Sequence, residues 1–138
     1  MTSAEQVLAA NQAFYDAHEQ RDMAAMSEVW EHSDRVVCVH PGWPILRTWP
    51  VVEGSWQRIL SGPGRNQFIV TNASVTIVDN GRGGDRSSDR DATVAWVTLD
   101  ENLVEGQVAG TIAATNVFIC TDGAWKLVHH HGSPVMGR

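Results

Sequence analysis

Residues 114–134 read ATNVFICTDGAWKLVHHHGSP, and their reading decides the fold. Two apolar runs flank Asp122-Gly123, a dipeptide suited to the positive φ angles of a two-residue hairpin turn. The run before it, Val108 to Cys120, and the run after it, Ala124 to His131, are predicted strands. The same period of two continues upstream. Ala92 to Leu99 and Gln67 to Val78 are rich in Val, Ile and Thr and read as two more long strands. Residues 80–91, NGRGGDRSSDRD, form the polar tip between them.

Before Ser61-Gly62-Pro63-Gly64 the period changes to that of a helix. Thr2 or Ser3 caps a first helix, with Glu5 and Gln6 placed for a capping box. Val7, Ala10, Phe14 and Ala17 mark its buried face. Asp22 caps a second helix carrying Met23, Met26 and Trp30 on one side. Val36 to His40 reads as a strand, carried through by Pro41, which biases His40 toward extended backbone. Thr48 is placed to cap a third helix, with Pro50 in its first turn and Val52, Trp56 and Ile59 on its apolar face. Helices gathered at the front and hairpin-linked strands behind them predict one α+β domain over 1–138. A curved antiparallel sheet with three N-terminal helices on one face would enclose a conical pocket.

The chain has 138 residues, 10 basic and 16 acidic, for a net charge of −6. Only one basic residue is Lys and the Arg are scattered, so nucleic acid is not an expected partner. No apolar run reaches the ~20 residues of a membrane span, so no membrane partner is expected. The start, MTSAEQ, lacks the basic and apolar regions of a signal peptide, and a cytoplasmic protein is expected. Cys38 and Cys120 read as buried free thiols, with a disulfide left open.

Three of six histidines form the run His129-His130-His131, and a fourth, His40, ends the segment RVVCVHPGW. Strict alternation puts Trp125, Leu127, His129 and His131 on one face, directed into the concave side. Imidazole titrates near neutrality, and desolvation in an apolar pocket would keep His40 neutral and able to accept a proton. Trp43, Trp49 and Trp56 flank it, with Trp43 and Trp56 as candidate walls for an apolar or aromatic ligand. One of Asp100 and Glu101 should face inward. Two His at i and i+2 could form half of a metal site with His40 as third ligand. With no carboxylate at a fixed spacing behind them, neither a metal nor a cofactor is expected. The chain carries no GxSxG, CxxC, P-loop or GxGxxG motif.

The strand ending His40-Pro41-Gly42-Trp43, the Trp56-bearing helix and the close DGAWKLVHHHGSP together resemble SnoaL-like proteins of the nuclear transport factor 2-like superfamily. The resemblance covers nearly the whole chain and implies a cystatin-like α+β roll, a curved sheet and three helices around a conical pocket. In the related ketosteroid isomerase the catalytic Asp precedes a Pro at the end of the first strand, and His40 occupies the matching position. The isomerase's oxyanion-hole Tyr matches Phe14, with Tyr15 adjacent and rotated by about 100°. The association domain of calcium/calmodulin-dependent kinase II ends in a similar D-G-x-W-x-x-V-H-x-H-x-S pattern. Its pocket Arg matches Asn116.

The expectation is thus a homodimer that binds a small apolar or aromatic molecule in a polar-ended apolar pocket, with acid/base chemistry of the isomerase or cyclase type left open as a use of that pocket. His40, His129 and His131 are the candidate catalytic residues. Tyr15, Trp43, Trp56 and Asn116 are the candidate ligand-binding residues. The alternative is a non-catalytic oligomerisation or ligand-sensing module, with Trp96, Thr115 and Val117 in the subunit contact.

Overall fold

The computed structural model describes residues 1–64, 67–79, 92–104 and 110–136. The chain runs α1 (Ser3–Gln20), α2 (Met23–Val29), β1 (Val37–Val39), β2 (Leu46–Arg47), α3 (Trp49–Ser61), β3 (Phe68–Asp79), β4 (Ala92–Leu103), β5 (Gly110–Thr121) and β6 (Ala124–Pro134). The polar segment at 80–91 lies outside the described residues.

Local chemistry sets the helix ends. Thr2 caps α1 and Glu5 closes a capping box onto the Thr2 amide, satisfying two amides that otherwise lack partners. The Asp22 side chain accepts from the Ala25 amide to cap α2. Thr48 stands at the N-cap of α3 without a side-chain bond and with φ 72°, which corrects its expected role. Arg21 ends α1 in left-handed backbone with φ 56°. Its guanidinium then donates to the carbonyls of Ile59, Leu60, Gly62 and Gly64, tying the last turn of α3 to α1.

The six strands form one sheet in the order β2-β1-β6-β5-β4-β3. The meander β3 to β6 is antiparallel as expected. Asp122 and Gly123 take φ 52° and 79° at the last hairpin, the positive pair that this turn demands. The sheet is nevertheless mixed, because β1 pairs with β6 in parallel, Val37 opposite His129 and Val39 opposite His131. The short hairpin partner β2 is also absent from the sequence expectation.

The helices cover one face. Val7, Phe14 and Tyr15 of α1 and Val52 and Trp56 of α3 pack on Val97, Phe118 and Leu127 of the sheet, all essentially inaccessible to water. Each such fully buried apolar side chain contributes about 1.5–3 kcal/mol. The other face of the sheet carries no helix, and Trp96 there keeps 37% of its surface exposed.

A bulge in β6 decides which histidine faces the helices. Val117 pairs with His129, but the next residue, Phe118, pairs with Leu127. Val128 is therefore an extra residue in β6, and alternation inverts beyond it. Trp125 and Leu127 face the helices; after the bulge, His130 does so and His129 and His131 face away. The expectation that His129 and His131 enter the concave side is thus corrected.

Candidate ligand-binding and acid/base site

Between α1, α3 and the sheet lies a cavity of about 260 Å³, lined by His18, His40, Trp43, Trp56, Glu101 and His130 among others. Phe68, Ile59, Leu103 and Ile112 complete an apolar girdle. Among the described residues no Lys or Arg lines it.

His40 reaches the cavity because β1 ends there and Pro41 turns the chain over β6. Gly132 permits that approach: a Cβ at this position would stand 3.0 Å from Cγ2 of Ile112 and 3.3 Å from Cγ of Pro41. His40 is 4% exposed, and its Nε2 lies 2.9 Å from Ser55 Oγ. The Ser55 hydroxyl donates to the Val52 carbonyl at 2.7 Å. Its oxygen must therefore accept from His40, which places the imidazole proton on Nε2 and the lone pair on Nδ1. Burial, and secondarily His18, lowers the pKa of His40 to about 4, so at neutral pH the ring is an uncharged base. Trp56 packs edge-on between His40 and His18, with ring centroids 4.7 and 5.0 Å away. The pKa of His18 is also lowered to about 4, chiefly by burial. Trp43 packs edge-on to His40 at 4.8 Å.

Behind the wall runs a buried series of hydrogen bonds. Tyr15 Oη lies 2.6 Å from Glu101 Oε2. Asn116 Nδ2 donates to Tyr15 Oη at 3.2 Å and to Asn11 Oδ1 at 2.9 Å. His130 Nδ1 lies 2.6 Å from Asn116 Oδ1. The carboxylate end fixes every direction. An ionised Glu101 can only accept, so Tyr15 donates to it. Tyr15 Oη then accepts from the Asn116 amide, and Asn116 Oδ1 accepts from His130 Nδ1–H. The His130 proton is thereby held on Nδ1. Burial lowers the His130 pKa well below the ordinary imidazole value. Burial raises that of Glu101 to about 7, opposed by the Tyr15 bond. The Tyr15 phenol is pushed above its usual range, first by burial and then by Glu101.

The sequence-predicted residues thus divide. His40, Trp43 and Trp56 share the cavity. Tyr15 and Asn116 stand behind it and bond to two of its lining residues, Glu101 and His130. His129 and His131 lie on the far face, in a broad open concavity of about 570 Å³ that also holds Asn72, Thr98, Asp100 and Thr115. His40 therefore cannot join them around one metal ion, and among the described residues no three His, Cys, Asp or Glu side chains have metal-holding geometry. Glu101, rather than Asp100, faces inward. Cys38 and Cys120 are free thiols.

Sequence reasoning missed His18, Asn11 and His130. The first two follow Val7 at helical spacing with Phe14, at positions 7, 11, 14 and 18, so the stripe itself announces them. His130 was hidden by the bulge, which has no sequence signal of its own.

Comparison with known proteins fits this geometry. Residues 7–137 match the SnoaL-like domain. The chain belongs to the SnoaL-like domain family. A solved NTF2-like protein from Streptomyces avermitilis, provisionally assigned as a dehydratase, is 33% identical over 97% of both chains, with a TM-score of 0.79. A Thiobacillus denitrificans protein, provisionally assigned as a calcium/calmodulin-dependent protein kinase type II association domain, is 30% identical with a TM-score of 0.69, covering 93% of this chain and 94% of that one. An 11% identical protein from Nostoc punctiforme, with a TM-score of 0.70 over 96% of this chain and 90% of its own, is described as having a cystatin-like fold. The F-box protein SKIP8 of Arabidopsis thaliana is 28% identical over 131 residues, which are 94% of this chain and 50% of that protein. This SnoaL-like chain thus spans about half the length of the curated relative it matches.

Proposed function

We propose that this SnoaL-like protein is an acid/base enzyme that binds a small, largely apolar molecule in the cavity between α1, α3 and the sheet. The observation that carries the reading is convergence. Neutral imidazoles of His40 and His130 and the raised carboxyl of Glu101 line one cavity walled by Trp43 and Trp56. His40 is the base, its Nε2–H anchored by Ser55 and its Nδ1 free of a proton. Groups whose environments push their pKa values apart are the usual sign of paired acid and base roles. A base and an acid in one site also suit a dehydration, the reaction named for the Streptomyces avermitilis relative.

The test is His40→Ala and His40→Asn in the full chain against a panel of β-hydroxy and α,β-unsaturated carbonyl compounds. Turnover falling at least a hundredfold in both variants, with ligand affinity and melting temperature nearly kept, supports the base. Loss of melting temperature with turnover or affinity intact overturns it and leaves His40 as scaffold.

A second reading is a non-catalytic assembly module, favoured by the Thiobacillus denitrificans relative and by the uncovered sheet face carrying Trp96, Thr115 and Val117. Under it the chain forms a homodimer through that face and the cavity turns nothing over. Sedimentation of Trp96→Glu against the wild type tests the contact. The two free thiols support a cytoplasmic setting for either reading.

A further inference from the structure

We propose that the cavity selects an uncharged, single-ring molecule that offers a hydroxyl to His130 and a carbonyl to Glu101. The inference rests on the reading of the cavity as a small-molecule site and goes beyond it by fixing the ligand's polarity.

The direction of the buried hydrogen bonds carries it. His130 spends its only N–H on Asn116, so toward the cavity it can only accept, through Nε2. Glu101 spends Oε2 on the Tyr15 hydroxyl, so a proton on the carboxyl resides on Oε1, where it can only donate outward. Turning the amide of Asn116 would set its Oδ1 against Asn11 Oδ1 and Tyr15 Oη, so the roles exchange only if Asn11, Tyr15 and His130 all turn with it and the Glu101 proton moves to Oε2. In the orientation the structure shows, the two cavity-facing groups are one acceptor, His130, and one donor, Glu101.

Charge and size narrow the class further. An anionic ligand would meet no Lys or Arg among the described lining residues and would face Glu101 as it ionises. Burying an unpaired charge is costly. The volume of about 260 Å³ lies below the roughly 300–1,000 Å³ of drug-sized sites, which suits one substituted ring against Trp43, Trp56 and Phe68. Glu101 and His130 stand on β4 and β6 with β5 between. Glu101 pairs with Ile112 of β5 and His130 with Asn116, four residues along the same strand, so their backbones stand roughly 16 Å apart and the inward-reaching side chains leave room for a ring with substituents at opposite ends.

The experiment measures binding of four probes to the full chain by calorimetry: 4-hydroxyacetophenone, acetophenone, 4-ethylphenol and 4-hydroxybenzoate. 4-Hydroxyacetophenone is expected to bind at least tenfold tighter than either probe with one polar group, and 4-hydroxybenzoate weakest. The preference for ketone over 4-ethylphenol should fade as pH rises through about 7, where Glu101 loses its proton. Glu101→Gln keeps a donor of the same shape and should hold that preference at all pH values, while Glu101→Leu should lose it. Equal affinity of the neutral probes, or a ketone preference indifferent to both pH and Glu101→Leu, overturns the polarity and leaves the small-molecule reading standing. If folded protein binds none of the probes, the small-molecule reading falls with it.

Discussion

The hydroxyl of Tyr15 lies 2.6 Å from Oε2 of Glu101, across 86 residues of chain. This bond joins the first helix to the end of β4 and holds a carboxyl that burial disfavours in its ionised form. Tyr15→Phe removes the donor from Glu101 and the acceptor from Asn116 together. The expected loss is about 1–3 kcal/mol in urea unfolding, the usual consequence of stranding buried polar groups. Because the Tyr15 bond is what opposes the rise of the Glu101 pKa, the carboxyl should also titrate at higher pH in the variant. A carboxyl-carbon NMR titration identical to the wild type would contradict the assignment.

Acid should unfold the protein earlier than its carboxylates alone require. His18, His40 and His130 have folded pKa values depressed below that of a free imidazole. Their contribution is complete above about pH 6.5 and is lost as pH falls toward 4, because the unfolded chain takes up protons that the folded chain refuses. Glu101 runs the other way. Its pKa is raised to about 7, so its contribution is complete below about 4.5 and is lost as pH rises through 7. Between pH 6.5 and 4.5, these four groups make unfolding take up about two net protons, or about 3 kcal/mol of stability lost per pH unit. Urea midpoints measured across this range should fall steeply. A flat profile would mean that the three rings are not held neutral.

Gly132 should tolerate no side chain. A methyl there would meet Ile112 and Pro41 at 3.0–3.3 Å, and neither neighbour is a flexible tip. Gly132→Ala is expected to cost about 1–3 kcal/mol as overpacking and to move Pro41, and with it His40. The measurement is melting temperature together with the His40 ring shifts in NMR. Wild-type values for both would show that β6 and the turn after β1 are not in close contact.

Much of this architecture was legible in the residues. Val7, Phe14 and Ala17 announced α1, Asp122-Gly123 announced the last hairpin, and Leu99 followed by Asp100-Glu101 left only the choice of which acid faces inward. His40 was placed at the cavity because Pro41 forces extended backbone before it. The parallel pairing of β1 with β6 was not legible, since three residues of VCV carry no direction. Nor was the inversion at Val128, because a bulge is chosen by how two strands fit together and β6 alone does not encode it.

Deleting Val128 tests that inversion. Without the extra residue β6 alternates regularly, with Leu127 still opposite Phe118, His129 opposite Val117 and His130 opposite Asn116, so Leu127 and His130 share the helix-facing side without a bulge. The deletion is expected to fold and to keep the His130 to Asn116 bond, read from the tautomer-sensitive nitrogen shifts of the ring, while losing about 1–3 kcal/mol with the buried Val128 side chain. Val128→Ala keeps the bulge and should retain the same bond. Loss of that bond in a folded deletion variant would show that Val128 is not the residue in excess.

The run of three identical side chains has a consequence for how the chain finds its fold. A strand that slips by one residue normally exposes its error at once, because every side chain changes face. Here a slip in either direction presents an imidazole to the helices again, so mispaired forms of β6 are nearly disguised by composition. What exposes them is the single amide of Asn116, which only the correct ring reaches while Leu127 is also buried. The final zippering of β6 should therefore be a frustrated step, with near-degenerate misregistered forms sorted by one buried hydrogen bond.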